Sequence, residues 1–397
     1  MEQKQGLIIE QAYTELMNRL SGEFANGNGK TNARNYIRGL LGTAERKNGW
    51  QLSEYIGEST PYKMQQFLYR GEYRADGLRD CLRTYAGDYL GEPDGVLVVD
   101  DTGFIKQGVK SCGVQRQYTG TLGKICNCQI GVFLSYASSK GHTPIDRRLY
   151  MPKCWIEDKE RRDEAGVPEE LAFATKPEMA LEMVQEATAA GIPYRWVTGD
   201  CAYGDYDKMR EWLEENGKCY VLNISQKEYI DDENIGSLLS KLPSEGWIEA
   251  SCGDGSKGVR VYDWQIVETS GVVPKGWKRV ILIRRSISER SVHSKPEEMK
   301  AYIAFAPEDT PDKKLVEVAG TRWTVETCFK ESKGEVGLDH YEVRSYDGWY
   351  KHITFAMIAL AFLTVLSSVS LDAKSIQEHN PASSTLDEFK KKRNLRV

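Results

Sequence analysis

The order of hydrophobic patterns after Val96 constrains the fold more tightly than any other feature of the chain. Val96-Leu-Val-Val99 is apolar at every position, as a strand buried on both faces must be. Residues 128–136 and 144–150 read as two further strands with turn residues between them. An amphipathic helix over 176–190 comes next, then a strand at 194–197, a helix at 207–215 and a strand at 219–224. Three consecutive strands, helix, strand, helix, strand is an α/β pattern.

The flanking segments have different periods. Residues 10–20 and 33–46 carry apolar side chains at helical spacing, and a short helix over 52–56 ends at Gly57. Thr60-Pro61, a capping residue before a first-turn proline, opens a helix over 62–70. Two short helices around a glycine turn, the second bearing Lys63, Gln65, Gln66 and Arg70, fit a helix-turn-helix reader of the major groove. They fit a plain helical bundle equally well. Residues 226–312 carry Gly/Ser/Asp turns and alternating runs at 247–250 with 259–267, at 279–285 and at 300–306, the pattern of a β-rich insertion. Helices are predicted again at 321–333 and 349–368, before a polar, basic tail. The implied division is 1–92 (helical, a candidate DNA-binding domain), 93–225 (first part of the core), 226–312 (insertion), 313–372 (second part of the core) and 373–397 (tail).

Composition excludes several classes. Hydrophobic residues at 40% and charged residues at 28% belong to a soluble globular protein. The apolar stretch 353–366 is too short to span a bilayer and reads as a buried helix, so no membrane partner is expected. Nine cysteines without a Cys-x-x-Cys pair, and five histidines, argue against a disulfide framework or a zinc site. The Cys126-x-Cys128 pair reads as two small residues on one strand face. With no secretory leader apparent, reduced thiols and a cytoplasmic location are expected. The net charge of −5 does not exclude nucleic acid, because DNA responds to local patches. Basic residues gather at 30–47, 106–124, 275–285 and 390–393.

Phosphodiester transfer uses divalent ions of the magnesium or manganese type, held by carboxylates gathered from distant points in the chain. Asp100 follows the buried run 96–99 and precedes Thr102-Gly103, which reads as a turn. Asp101 would point to the opposite face of the pleat. Asp200 ends the strand in Trp196-Val-Thr-Gly-Asp200, where it can equally serve as a helix cap. Glu326 lies on a predicted helix with Arg322 four residues before it and Lys333 seven after, with Lys330 beside them. Such a stripe can hold a metal between phosphate-binding bases, or be an exposed face with weak ion pairs.

The stretch Arg322-Trp-Thr-Val-Glu326-Thr-Cys-Phe-Lys-Glu-Ser-Lys333 resembles the Tyr-x2-Arg-x3-Glu-x6-Lys signature of DDE (Asp-Asp-Glu) transposases of the IS-four-like superfamily. Val-Val-Asp100-Asp-Thr-Gly-Phe104 and Gly199-Asp200-Cys-Ala-Tyr203-Gly204 are similar to that group's two aspartate motifs. Arg116-Gln-Tyr-Thr-Gly120 and Gly337-Leu-Asp-His-Tyr-Glu-Val-Arg344 resemble its branch of DDE superfamily endonucleases. The signature's tyrosine position is Ala319 here. The resemblance implies a ribonuclease-H-like mixed-sheet core, with the β-rich insertion contacting the element end. It implies two magnesium or manganese ions held by Asp100, Asp200 and Glu326, with Arg322, Lys330 and Lys333 on DNA. The implied activity is cleavage of an element's terminal inverted repeats and their joining to target DNA by a homodimer. A nuclease without strand transfer and a catalytically silent DNA-binding protein are the alternatives. A paired-carboxylate glycosidase explains neither the basic stripe nor the strand order.

Overall fold

The computed structural model describes residues 2–255, 258–287 and 299–378 of the chain. The basic cluster at 390–393 lies outside the described residues. Five helices come first: α1 (Glu2–Leu20), α2 (Gly27–Leu41), α3 (Gly49–Tyr55), α4 (Tyr62–Arg70) and α5 (Ala75–Leu90). Asparagine caps set two of their starts, Asn26 accepting from Gly29 N at 2.9 Å and Asn48 from Gln51 N at 3.0 Å. Helix α2 ends at Leu41 rather than at residue 46, since the backbone turns extended at Gly42, which backs onto the Tyr55 ring where a Cβ would collide. Gly57 makes the turn between α3 and α4 with φ 82°, where glycine carries no steric cost.

The strands that follow form one mixed sheet. They are β1 (Val96–Ile105), β2 (Gln115–Thr119), β3 (Lys124–Ser138), β4 (Gly141–Leu149), β5 (Trp196–Gly199) and β6 (Cys219–Ile224). After a two-stranded ribbon, β7 (Tyr229–Ile230) with β8 (Glu233–Asn234), come β9 (Ile248–Gly255), β10 (Gly258–Glu268), β11 (Trp277–Arg285) and β12 (Lys300–Pro307). The order is β2-β3-β1-β5-β6-β12-β11-β10-β9, with β4 also paired to β3. Strands β1, β5 and β6 run parallel, while β3 lies antiparallel on β1 and β12 antiparallel on β6. This is the mixed α/β sheet expected of a ribonuclease-H-like core. The strands of 226–312 hydrogen-bond onto its β6 edge.

Two local expectations are corrected. Thr102-Gly103 is no turn, since β1 continues through it, pairing Thr102 with Gly131 and Gly103 with Ile130. The glycine serves close approach instead, because a Cβ there would overlap the Thr119 hydroxyl of β2. The helix expected over 321–333 is two: α12 (Asp312–Thr321) and α13 (Thr324–Gly334). Gly320, whose carbonyl accepts from Arg260 at 3.2 Å and from Trp323 N at 3.1 Å, packs against the Cys252 backbone at the break.

Between the sheet's parallel strands lie α6 (Lys153–Ile156), α7 (Lys159–Ala165), α8 (Lys176–Ala189), α9 (Cys201–Gly204) and α10 (Asp207–Glu215). The short α11 (Ile235–Ser240) follows the ribbon, and α14 (Tyr346–Glu378) ends the described chain. Helix α14 is longer than foreseen, and Tyr346–Val369 is apolar and long enough by itself to cross a membrane. Its residues 353–362 are all buried, however, in the core shared by the N-terminal helices and β4. Charge reinforces that junction. Fully buried Asp146 of β4 pairs with Arg83 of α5 and accepts from Arg148 at 3.0 Å, and Arg79 lies 3.6 Å away. Leaving such a buried carboxylate without its partners costs about 3–5 kcal/mol.

Candidate active site

Parallel pairing of β1 with β5 decides where the two aspartates emerge. Val99 lies opposite Gly199, so Asp100 and Asp200 follow at matched positions on adjacent strands. Gly199 permits the approach, since a Cβ there would collide with the Val99 side chain. Asp200 also caps α9, accepting from Ala202 N at 2.9 Å. The cap fixes the Asp200 carboxylate where the chain turns away from β5, so the capping and candidate-site readings are compatible.

Crowding shows in the electrostatics. Burial, then the charge of Asp200, then that of Asp101 push the Asp100 carboxyl up to about 7, against a smaller opposing pull from Arg322. Asp200 is raised by burial and by Asp101. Carboxylates in this state are short of positive charge. Asp101 turns to the other side of the sheet, where Lys176 at the start of α8 holds it at 2.7 Å.

The break between α12 and α13 delivers Arg322 to the acids. Its guanidinium lies 3.7 Å from Asp100 and 3.6 Å from Glu326. Glu326, in the first turn of α13, is about half exposed, with 53% of its side chain accessible. It is joined to the aspartate pair through Arg322. Among the described residues, no three His, Cys, Asp or Glu side chains are grouped closely enough to hold an ion in the present conformation.

At the other end of α13, Lys333 donates to Thr102 Oγ1 at 2.9 Å and to the Gly103 carbonyl at 3.2 Å, and burial lowers its pKa. It therefore sits just past Asp100 along β1. Lys330 is exposed on the same helix. Ala319 is buried within α12, so no contact with a ligand comes from that position. On the N-terminal helices, Lys63 pairs with Glu58 at 2.6 Å, Gln66 is half-buried, and Arg70 is exposed. These three share the outer side of α4 with exposed Tyr62 and Tyr69, apart from the acids.

Sequence reasoning missed the Asp101–Lys176 pair and the hairpin of β2 and β3. Thr121, at its tip, hydrogen-bonds Gly103 at 3.3 Å and lies 3.5 Å from Lys333 Nζ. The Arg116–Gly120 motif was the one available signal for the hairpin.

A relative, the "Probable transposase for insertion sequence element IS701" of Microchaete diplosiphon, is 23% identical over 321 residues, covering 78% of this chain and 75% of its own. The NurA nuclease of Sulfolobus solfataricus aligns over 78% of this chain and 94% of its own at 9% identity, but its TM-score of 0.26 is too low to bear on the fold. The profile of the transposase DDE domain matches residues 176–362, which include Asp200, Arg322, Glu326 and Lys333. That of the DDE superfamily endonucleases matches residues 19–230, more than half of the chain and both aspartates, and the chain belongs to that family.

Proposed function

We propose that the chain is a DNA transposase that cuts the terminal inverted repeats of its element and joins the freed ends to target DNA. The observation that carries this reading is the in-register emergence of Asp100 and Asp200 from parallel strands, where burial and neighbouring acids, Asp200 and Asp101 for Asp100 and Asp101 for Asp200, raise both pKa values. An all-oxygen, electron-rich pair suits a hard divalent cation. Asp100 and Asp200, with Glu326 drawn in from the exposed start of α13, would hold magnesium or manganese, two ions in the full site. When bound, the ions would activate the attacking oxygen and stabilise the leaving one. The chain's own residues do the rest. Arg322, beside Asp100, and Lys333, beside Thr102, position phosphates, a role that carries no sequence information, and exposed Lys330 between Glu326 and Lys333 adds to it. Water opens the phosphodiester at the element end, freeing a 3′-hydroxyl. That hydroxyl then displaces a target 3′-oxygen in line, so one phosphodiester forms as another breaks and no protein adduct is required.

Helix α4 supplies the sequence-reading surface through Lys63, Gln66 and Arg70, and residues 226–312 contact the element end. Two ends must be joined, so the working form is a homodimer on DNA, acting in the cytoplasm at the nucleoid. The test is cleavage of DNA flanking the gene, with and without magnesium, followed by strand transfer from precut ends. Cleavage and joining support the reading. Cleavage without joining would leave a nuclease, and specific binding without cleavage would leave a silent DNA-binding protein.

A further inference from the structure

The hairpin of β2 and β3 exposes apolar side chains beside the acids. Tyr118 and Ile125 face each other across the two strands and are 62% and 60% exposed. Leu122, in the connecting turn, is also exposed. The hairpin stands on a rigid base. Thr119 is buried against Gly103 of β1, and the Thr121 hydroxyl lies within 3.5 Å of Thr102, Gly103 and Lys333. Three large apolar side chains held in solvent by a fixed support are a contact surface in search of a flat, apolar partner.

The charge around them identifies the partner. From Gln115 to Ile125 the chain carries Arg116 and Lys124 and no acid. Neither cation has an ion pair among the described residues. Arg116 also lines a cavity of about 520 Å³ with Lys110 and Arg161, where Glu164 is neutralised by Lys110 at 2.7 Å. Apolar side chains flanked by free cations match a polyanion that offers flat apolar faces, namely a nucleic-acid strand with unstacked bases. A paired duplex hides those faces.

Resting on the reading of the acids as a DNA-cutting site, we infer that the β2–β3 hairpin stacks against unpaired bases next to the phosphate being cut. Tyr118 and Ile125 support a base face, Leu122 occupies the gap that it leaves, and Arg116 and Lys124 hold the adjoining phosphates. The hairpin thereby favours DNA that is already opened, or is readily opened, at the cut.

The experiment uses the full chain, calcium in place of magnesium, and two fluorescent probes. One is a blunt duplex; the other is the same duplex with a frayed end carrying 2-aminopurine in the unpaired strand. The wild type should bind the frayed probe at least tenfold more tightly and quench its 2-aminopurine. Tyr118→Ala with Leu122→Ser should lose about five- to tenfold on the frayed probe, lose the quenching, and leave blunt-duplex binding and thermal stability unchanged. Tyr118→Trp should restore the quenching. Equal binding of the two probes by the wild type, or equal losses on both by the variant, would overturn the inference and leave the cutting site untouched. A change in the DNA-free oligomeric state of the variant would also overturn it, since the hairpin would then join copies of the chain. Failure of the wild type to bind either probe would remove both this inference and the reading on which it rests.

Discussion

Arg322 approaches the Asp100 carboxylate at 3.7 Å from the break between two helices, and so brings a fixed cation to an acid that burial and its neighbours have left short of positive charge. The same guanidinium reaches Glu326, so one side chain ties together two acids that are 226 residues apart. A cation in that position competes with a metal as much as it helps a phosphate. Arg322→Gln should therefore bind manganese about three- to tenfold more tightly, as read by the free-ion signal in electron paramagnetic resonance, while binding DNA more weakly. Weaker manganese binding would show that Arg322 holds the acids in place instead.

Replacing Asp100 or Asp200 with alanine should lower strand cleavage by roughly a thousandfold or more, about 4 kcal/mol of transition-state stabilisation, with DNA binding retained. Glu326→Ala should do the same. Near-normal cleavage by any of the three would remove that residue from the site. Asp100→Asn should also melt about 1–3 °C higher in a chelating buffer, because one of two crowded, buried charges is gone.

Gly103→Val should separate stability from activity. The added side chain meets Thr119 and pushes the hairpin away from β1, moving the support of Lys333. Cleavage should fall at least tenfold for a loss of only about 1–3 kcal/mol in folding stability, measured by denaturant titration.

The outer face of α4 can be tested through salt. Arg70→Ala and Lys63→Ala should each weaken DNA binding and reduce the slope of log affinity against log salt by about 1, with melting unchanged. The Lys63–Glu58 pair is partly exposed and contributes little to the fold, so a drop in stability would point to a packing role.

His352 makes the fold acid-sensitive. Completely buried, it bonds the Tyr36 hydroxyl at 2.7 Å and the Gly337 carbonyl at 3.0 Å, and burial pushes its pKa down to about 3. The unfolded chain takes up the proton first, near pH 6.5, so the contribution is complete above that pH. It is lost as pH falls toward 3, by up to about 1.4 kcal/mol per unit. Denaturation midpoints at pH 7 and pH 5 should differ less in His352→Asn than in the wild type. An equal difference would place the acid sensitivity elsewhere.

Elements with strong local signals were legible in the sequence. Helices α4 and α10 and strand β6 have the bounds that their punctuation implies, because proline, glycine and the apolar period all act within a few residues. Misreadings arose where a distant partner decides the conformation. Thr102-Gly103 resembles a turn until β3 and the Thr119 side chain are beside it. Helix α13 starts late because Cys252 and Arg260, from another part of the chain, meet Gly320. Strand β2 was missed because Gln115-Arg-Gln-Tyr-Thr119 has little apolar content to alternate. Asp100 and Asp200 could each be named from the end of an apolar run, yet their adjacency is a property of the β1–β5 register. Lys176 gives no sign in the sequence that it will hold Asp101.

Strands β12, β11, β10 and β9 are hydrogen-bonded in series to β6, which is itself paired with the strand leading to Asp200. At about 4.8 Å per strand, the far margin stands roughly 24 Å from that acid. A ladder of backbone bonds does not stretch, so the far margin and Asp200 keep their offset whatever the loops do. A duplex gripped at that margin, rising 3.4 Å per base pair, would be measured off at about seven pairs before the blade. Cutting at a constant distance would then follow from the ladder's width, with no separate counting device.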